Sequence, residues 1–326
     1  MTGTAKPSNA ADAVSAAQSA RFAAAIGRLW PEGWKIGLAV SGGPDSLAML
    51  LLARAAMPGG FEVATVDHGL RPEAKAEAEF VAQTCAALGI AHEVLRVEVA
   101  AGNVQEEARL ARYAALADWA KDRGLAALAT AHHADDQAET VLMRLNRGSG
   151  LAGLSGVRAR GTAPGGTLPV LRPLLDWRRA ELAEIVSAAG IEAVSDPSNA
   201  DPRYDRVRMR SALAHADWLD VAAVAQSAAY LADANEALDW AFEREWNECV
   251  EIASGGVRYE PSAPRAIALR VVQRILAGFG ASPRGGEVAR LVDALAAGEA
   301  GTLGGVVARV EAGGWTFRPE PPRRSG

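Results

Sequence analysis

The run IGLAVSGGPDSLAMLLLARA, residues 36–55, narrows the folds open to this chain more than any other stretch. Five apolar residues, Ile36 to Val40, are too short a run for a helix and suit a buried strand. Two glycines and a proline break the run, and the Leu- and Ala-rich segment after Pro44 has helical composition. The unit then recurs. FEVATVDHG precedes PEAKAEAEFVAQTCAALG, HEVLRVEV precedes VQEEARLARYAALADWAKDRG, and LAALATAHH precedes DDQAETVLMRLNRG. Such alternation predicts an α/β fold, a parallel sheet flanked by helices.

The loop inside the first unit carries chemistry. Between a strand and a helix start, backbone N–H groups point outward unpaired, and the helix dipole adds about half a positive charge. That suits an anion, usually phosphate. Gly42 and Gly43 allow close backbone approach, Ser41 and Ser46 add hydroxyl donors, and Pro44 suits a first helical position, where an N–H would be orphaned anyway. No Lys follows the glycines and G-x-x-x-x-G-K-[ST] is absent, so this is not a Walker A loop.

Beyond the alternating units, residues 151–175 are rich in Gly, Pro and Arg and are expected to be a long loop leading to LPVLRPLLD. A helix, WRRAELAEIVSAAG, and an irregular segment, SDPSNADPRYDRVRMR, follow; from about 212 the chain is mostly helical. After Gly255 a small α/β piece is expected, and the last six residues read as a loose basic tail. The expected domains are a flexible extension over 1–20, a catalytic domain over 21–215, and a helical connector with a small C-terminal domain over 216–326.

No apolar run reaches eighteen residues, so no membrane span is expected. The polar N-terminus lacks the apolar core of a signal peptide. Cys85 and Cys249 lie far apart with no C-x-x-C, against a disulfide framework, a zinc site or an iron–sulfur site, and a reducing cytoplasm is the expected location. The net charge of −5 does not advertise nucleic acid, yet a local basic stripe can bind phosphate on an acidic protein.

Three further clusters stand out. Asp136 and Glu139, three apart after His132-His133-Ala134-Asp135, share a helix face and can converge on one cation; equally, first-turn acids complement a helix dipole. Asp67 and His68 end the second strand, where carboxyl-side strand ends line a ligand crevice. Arg203, Arg206, Arg208 and Arg210, with Tyr204 among them, suit phosphate or bases, or else pair with Asp196, Asp201 and Asp205.

The S-G-G-x-D-S pattern resembles the PP-loop ATP pyrophosphatases, which cleave ATP between the α- and β-phosphates and transfer AMP. That resemblance implies ATP as cofactor and a Mg²⁺ ion held in part by Asp45, offsetting the repulsion between this acid and phosphate. With the loop, VDHGLRPEAKAEA, EEARLARYAAL, AHHADDQAETVLMRLNRGSGLAGLSG and DPSNADPRYDRVRMR occur in the order of the tRNA(Ile)-lysidine synthase family. The likeness is strong over residues 20–215 and weak beyond. It implies ATP-dependent ligation of L-lysine to C2 of the wobble cytidine in the CAU anticodon of tRNA(Ile). The cytidine O2 is adenylated first, and the products are lysidine, AMP and diphosphate.

The resemblance also implies roles residue by residue. Ser41, Gly42, Gly43, Pro44, Asp45 and Ser46 bind nucleotide with Asp67, His68 and His133. Arg112, which matches better than Arg109, acts at the active site with Asp45. Asp136 and Glu139 bind or activate lysine, Arg206 reaches the active site, and Arg203, Arg208 and Arg210 contact tRNA. Val207 stands where the family commonly has Asn, so that side-chain amide is absent here. The C-terminal domain is expected to bind tRNA, and a homodimer is left open. The nearest rival, PP-loop cytidine 2-thiolation, uses paired cysteines that this chain does not offer. Amidating synthetases would carry a glutaminase domain, and a simple anion-binding module would not explain an acid inside the loop.

Overall fold

In the computed structural model the residues described are 13–69, 72–97, 104–194, 203 and 205–321. Residues 1–12 of the expected extension, Asp196, Asp201 and Tyr204, and residues 322–326 of the expected tail lie outside them. Two compact units divide the chain, Met1–Ala232 and Asp233–Gly326.

In the first unit the helices α1 (Ala16–Leu29), α2 (Pro44–Ala56), α3 (Pro72–Ala87), α4 (Val104–Asp122), α5 (Ala134–Leu145), α6 (Leu151–Leu154), α7 (Arg179–Ala188) and α8 (Asp205–Ala214) surround one sheet. Its strands are β1 (Ile36–Ala39), β2 (Phe61–Asp67), β3 (His92–Arg96), β4 (Leu128–Ala129), β5 (Arg160–Thr162) and β6 (Pro169–Leu171). Their spatial order is β3-β2-β1-β4-β6-β5. Five strands run parallel, as the alternation predicts, while β5 joins the edge antiparallel to β6. Both β5 and β6 lie in the stretch expected to be a loop. They are three residues each, too short to leave a periodic signal among glycines and prolines.

The order carries a consequence. From β1 the chain steps outward to β2 and β3, then crosses back to place β4 on the other side of β1. A parallel sheet opens a crevice at such a reversal, outside the carboxyl ends of the strands. The crevice therefore forms where the chain leaves β1 and β4.

Local sequence explains the packing. Ser46 to Ala53 of α2 are all buried, as expected of a helix apolar on every side. Gly37 in β1 is required by α4, because a Cβ there would lie 2.5 Å from Trp119 Cζ3. The N-terminus of α1 is closed by a capping box. Ser15 Oγ accepts from Gln18 N, and Gln18 Oε1 from Ser15 N, so residues 16–20 of the expected extension are helical.

Helix α9 (Val221–Cys249) runs from the first unit into the second. The second unit adds β7 (Val250–Ala253), β8 (Gly256–Tyr259), α10 (Arg265–Gly278), α11 (Gly285–Ala296), β9 (Gly301–Leu303), β10 (Val306–Glu311) and β11 (Gly314–Pro319). Its five strands form an antiparallel sheet, β7-β8-β11-β10-β9, over a core that includes Tyr259, Val271, Ile275, Leu291 and Phe317. The first strand thus precedes Gly255, where the sequence placed the start of this piece.

Glu245 is the buried polar hub of this unit. It accepts from Tyr259 Oη at 2.9 Å, Ser262 N and Oγ at 2.8 Å each, and Ala263 N at 3.1 Å. Burial opposes its charge, but these donors outweigh burial and lower its pKa. Its contribution to stability is therefore complete above the usual glutamate pKa, about 4.3, and is lost as pH falls through the lowered value. Glu245→Ala is expected to cost about 2–4 kcal/mol in urea unfolding at pH 7, with a smaller difference from wild type at pH 3.

Candidate active site

The loop after β1 is braced by its own side chains. Ser46 Oγ donates to the Gly43 carbonyl (3.0 Å) and accepts from Ser41 N (3.2 Å), with Ser41 Oγ 3.3 Å away. Ser46 is buried and shapes the loop, whereas Ser41 is exposed. Gly42 has φ +85, and its carbonyl accepts from Val194 N at 3.0 Å; a side chain there would be strained and would crowd Val81. Gly43 caps α2 without any side-chain bond, and Pro44 follows at the first helical position. Among the described residues no side chain caps the N–H groups at this helix start.

The loop after β4 faces it. His133 caps α5: its Nδ1 accepts from Asp136 N (3.4 Å), and Asp136 Oδ2 accepts from His133 N (3.2 Å). The Nε2 of the same ring lies 3.4 Å from Asp45 Oδ2. The neutral tautomer protonated on Nε2 satisfies both neighbours. Burial alone would depress the His133 pKa, but the hydrogen bond to Asp45 and the charges of Asp136, Asp45 and Asp135 outweigh it and raise it. Asp135 turns away to α7. It accepts from Arg179 N (2.8 Å) and from the Arg178 guanidinium (3.2 and 3.3 Å), contacts that lower its pKa against the effect of burial.

Asp136 and Glu139 do share a helix face, and two arginines of α8 meet them there. Arg206 Nε donates to Glu139 Oε2 (2.8 Å), and its Nη2 to Asp136 Oδ1 (3.3 Å). Arg210 Nε donates to Glu139 Oε1 at 2.7 Å, and this bond raises the arginine's pKa. Glu139, only 2 % exposed, is therefore charge-compensated on both oxygens, while Asp136 lines the cavity. Arg210, expected at tRNA, commits its guanidinium to Glu139. Arg208 and Arg203 are exposed, and Arg208 pairs with Asp205.

A cavity of about 640 Å³ joins these parts, within the usual size range for small-molecule sites. It is lined by the Ser41–Ser46 loop except Gly42, by Asp136 and Arg206, and by His68, Arg109, Arg112, Tyr113, Thr130, His132 and Arg179. Asp67 is not part of the lining; its Oδ1 accepts from Gly69 N in the adjoining turn. Although the cavity leaves Arg112 exposed, the surrounding protein strips water from its guanidinium and, with Arg109, lowers its pKa. Burial pushes the His132 pKa down to about 4, with Arg172, Arg206 and Arg109 adding to the effect. His132 is accordingly neutral near pH 7. Next to Tyr113, Arg172 is buried with no partner for Nε among the described residues.

Sequence reading missed Thr130, Tyr113, Arg172 and Arg179. The one available signal was an arginine inside the apolar run VLRPLL, which needs a polar reason to be buried.

Asp45 Oδ1 is buried and has no hydrogen-bond partner among the described residues. Among the described residues no cluster of three or more His, Cys, Asp or Glu side chains could enclose a metal. One free carboxylate oxygen beside a phosphate-type loop fits Mg²⁺, which keeps several waters and takes its remaining ligands from phosphates.

An open parallel sheet, a strand–SGGPDS–helix loop and a carboxylate beside it define a PP-loop protein, and a family profile described as PP-loop domain matches residues 15–216. The chain is 50% identical over 311 residues to a tRNA(Ile)-lysidine synthase of Novosphingobium aromaticivorans, covering 94% of this chain and 95% of the relative. It is 42% identical over 303 residues to the tRNA(Ile)-lysidine synthase of Zymomonas mobilis, covering 90% and 91%. The chain belongs to the tRNA(Ile)-lysidine synthase family. Among solved structures it is similar in fold to a U34-tRNA thiolase of Methanococcus maripaludis with its [4Fe-4S] cluster. That match has a TM-score of 0.52 and 16% identity, over 66% of this chain and 78% of that one.

Proposed function

We infer that this enzyme uses ATP to join L-lysine to C2 of the wobble cytidine in tRNA(Ile), by way of an adenylated cytidine. The observation that carries the reading is the meeting, in one cavity, of Asp45 with an unpartnered carboxylate oxygen and Asp136 with its arginine-bridged neighbour Glu139. One end suits a nucleotide's phosphates, the other a cationic amine.

In the first step the cytidine O2 attacks the α-phosphorus and diphosphate leaves. The uncapped N–H groups at the start of α2 and Ser41 bind phosphate oxygens there. Asp45 would hold Mg²⁺, which would neutralise charge on the phosphates. In the second step the ε-amine attacks C2 and AMP leaves. Free lysine titrates near 10.4, so its ammonium must give up a proton to solvent water before the neutral amine attacks. Asp136 lines the cavity; its Oδ2 is taken by His133 N, while Oδ1 makes only a long bond to Arg206 (3.3 Å), so Oδ1 receives the ammonium. Glu139 acts through Arg206 and Arg210, compensating their charge beside the incoming cation. His132, neutral, donates or accepts hydrogen bonds without adding charge. A cytoplasmic enzyme acting on tRNA fits the absence, among the described residues, of any helix long and apolar enough to cross a membrane.

The 2-thiolation alternative is not favoured. Cys85 is buried, its thiol pushed up to about 12, and Cys249, the second of only two cysteines, sits beside Ser262 Oγ. Neither offers the reactive thiolate pair that reaction needs.

Incubation of the protein with the tRNA, ATP, Mg²⁺ and labelled lysine, followed by mass spectrometry of the nucleosides, tests the reading: labelled lysidine is expected, and unmodified cytidine would sink it. Arg208, exposed and outside the cavity, is proposed to contact tRNA phosphate with Arg203, and the second unit to contact tRNA as well. Arg208→Ala is expected to reduce the slope of log affinity against log salt by about 0.7–0.9. Arg210→Ala should instead impair lysine use, and equal salt slopes for wild type and Arg208→Ala would return that residue to its pairing with Asp205.

A further inference from the structure

We propose that Arg179, the first residue of α7, is the side chain that holds the diphosphate group during adenylation. This rests on the reading above and extends it to a residue to which neither motif nor resemblance gave a role.

Four observations converge on it. Arg179 lines the same cavity as Ser41 and Asp45. Among the described residues it has no carboxylate partner, whereas Arg178 beside it is taken by Asp135, and Arg206 by Asp136 and Glu139. Its backbone is pinned: Arg179 N donates to Asp135 at 2.8 Å, and Arg178 N to Glu181 Oε2 at 2.7 Å. Glu181 is itself held by Arg21 at 2.9 Å. Finally, three helix starts meet at this wall, since Asp45, Asp136 and Arg179 all lie in the first turns of α2, α5 and α7 and all line the cavity. The positive ends of three dipoles and the Arg179 guanidinium converge on the same space, while Arg109 and Arg112, also in the lining, lie against the Tyr113 ring.

The chemistry needs such a group. When the bond between the α-phosphorus and the bridging oxygen breaks, its electron pair leaves on the diphosphate, which gains negative charge. A planar guanidinium meets two phosphate oxygens at once and never gives up its proton, so charge is matched with no acid required. The Asp135 contact makes that carboxylate a positioning residue: it fixes where Arg179 enters the cavity and binds nothing itself.

The test is calorimetric titration of Mg²⁺-diphosphate into the full chain, with Arg179→Ala and Arg179→Lys compared by melting curve for intact folding. Arg179→Ala is expected to weaken diphosphate binding by about 10- to 100-fold, with Arg179→Lys in between. In turnover, inhibition by added diphosphate should weaken in parallel while the lysine KM stays unchanged. Equal diphosphate affinity in wild type and Arg179→Ala would overturn the proposal, and so would a shift in lysine KM with none in diphosphate affinity. The titration contains neither tRNA nor lysine. A chain that binds diphosphate through Arg179 yet forms no lysidine would keep this inference and refute the activity.

Discussion

Alanine at Asp45 is expected to slow tRNA-dependent AMP formation by about 10²–10³-fold, the usual cost of removing one preorganised charge-stabilising group. Its melting temperature should change little. Asp45 lies on the first turn of α2, partly exposed, with one oxygen unpartnered and the other 3.4 Å from His133. Nothing in the core rests on it. The histidine supplies a second readout: without the Asp45 hydrogen bond and charge, burial should pull the His133 pKa down from its raised value. NMR titration of the imidazole follows that shift without any assay of activity. Near-normal AMP release from a variant whose His133 titration has moved would show that Asp45 serves only the histidine.

Glu139→Gln should have the second large effect, and on a different step. Glutamine keeps the shape but removes the charge that compensates Arg206 and Arg210 from a position 2 % exposed. Breaking a buried pair from one side costs several kcal/mol. Both arginines are partly exposed here, so solvent screening should reduce the cost to about 1–3 kcal/mol. Two uncompensated guanidinium groups would then stand beside Asp136 and repel the lysine ammonium. The adenylated tRNA should still form, but its consumption at low lysine should fall by about 10- to 100-fold and recover in part as lysine is raised. Asp136→Asn should show the same block with weaker rescue, because it removes the carboxylate that faces the cavity. Single-turnover assays with labelled ATP and labelled lysine separate the two steps. Wild-type consumption in both variants at low lysine would refute the assignment.

Much of this protein is local chemistry. Ser41-Gly42-Gly43-Pro44-Asp45-Ser46 reads as a phosphate-type loop because each residue's own properties demand it. The place of Pro44 at the first helical position is a backbone fact that sequence announces, whereas only the structure shows that of the two glycines it is Gly42 that takes a positive φ. Helices α2 to α5 and the strands before them were legible for the same reason, since periodicity and glycine stops act within a few residues. β5 and β6 were not: three-residue strands carry no period, and their pairing is decided by β4 and by each other.

Which residues share a site was settled only by tertiary structure. Gly37 pairs with Leu128 across some ninety positions of chain, and that parallel register sets His133 against Asp45. Sequence marked both DD-x-x-E and the arginine run but left two meanings for each. The fold brings them together, so that acids read as a cation site and arginines read as a phosphate stripe partly neutralise one another at Glu139. Asp135 and Asp136 are adjacent in sequence and chemically alike, yet one ties down α7 and the other faces the cavity. Spacing along a helix dictates which face a side chain takes, because that geometry is local. What lies opposite that face depends on strand order, and strand order is decided by burying the whole sheet at once.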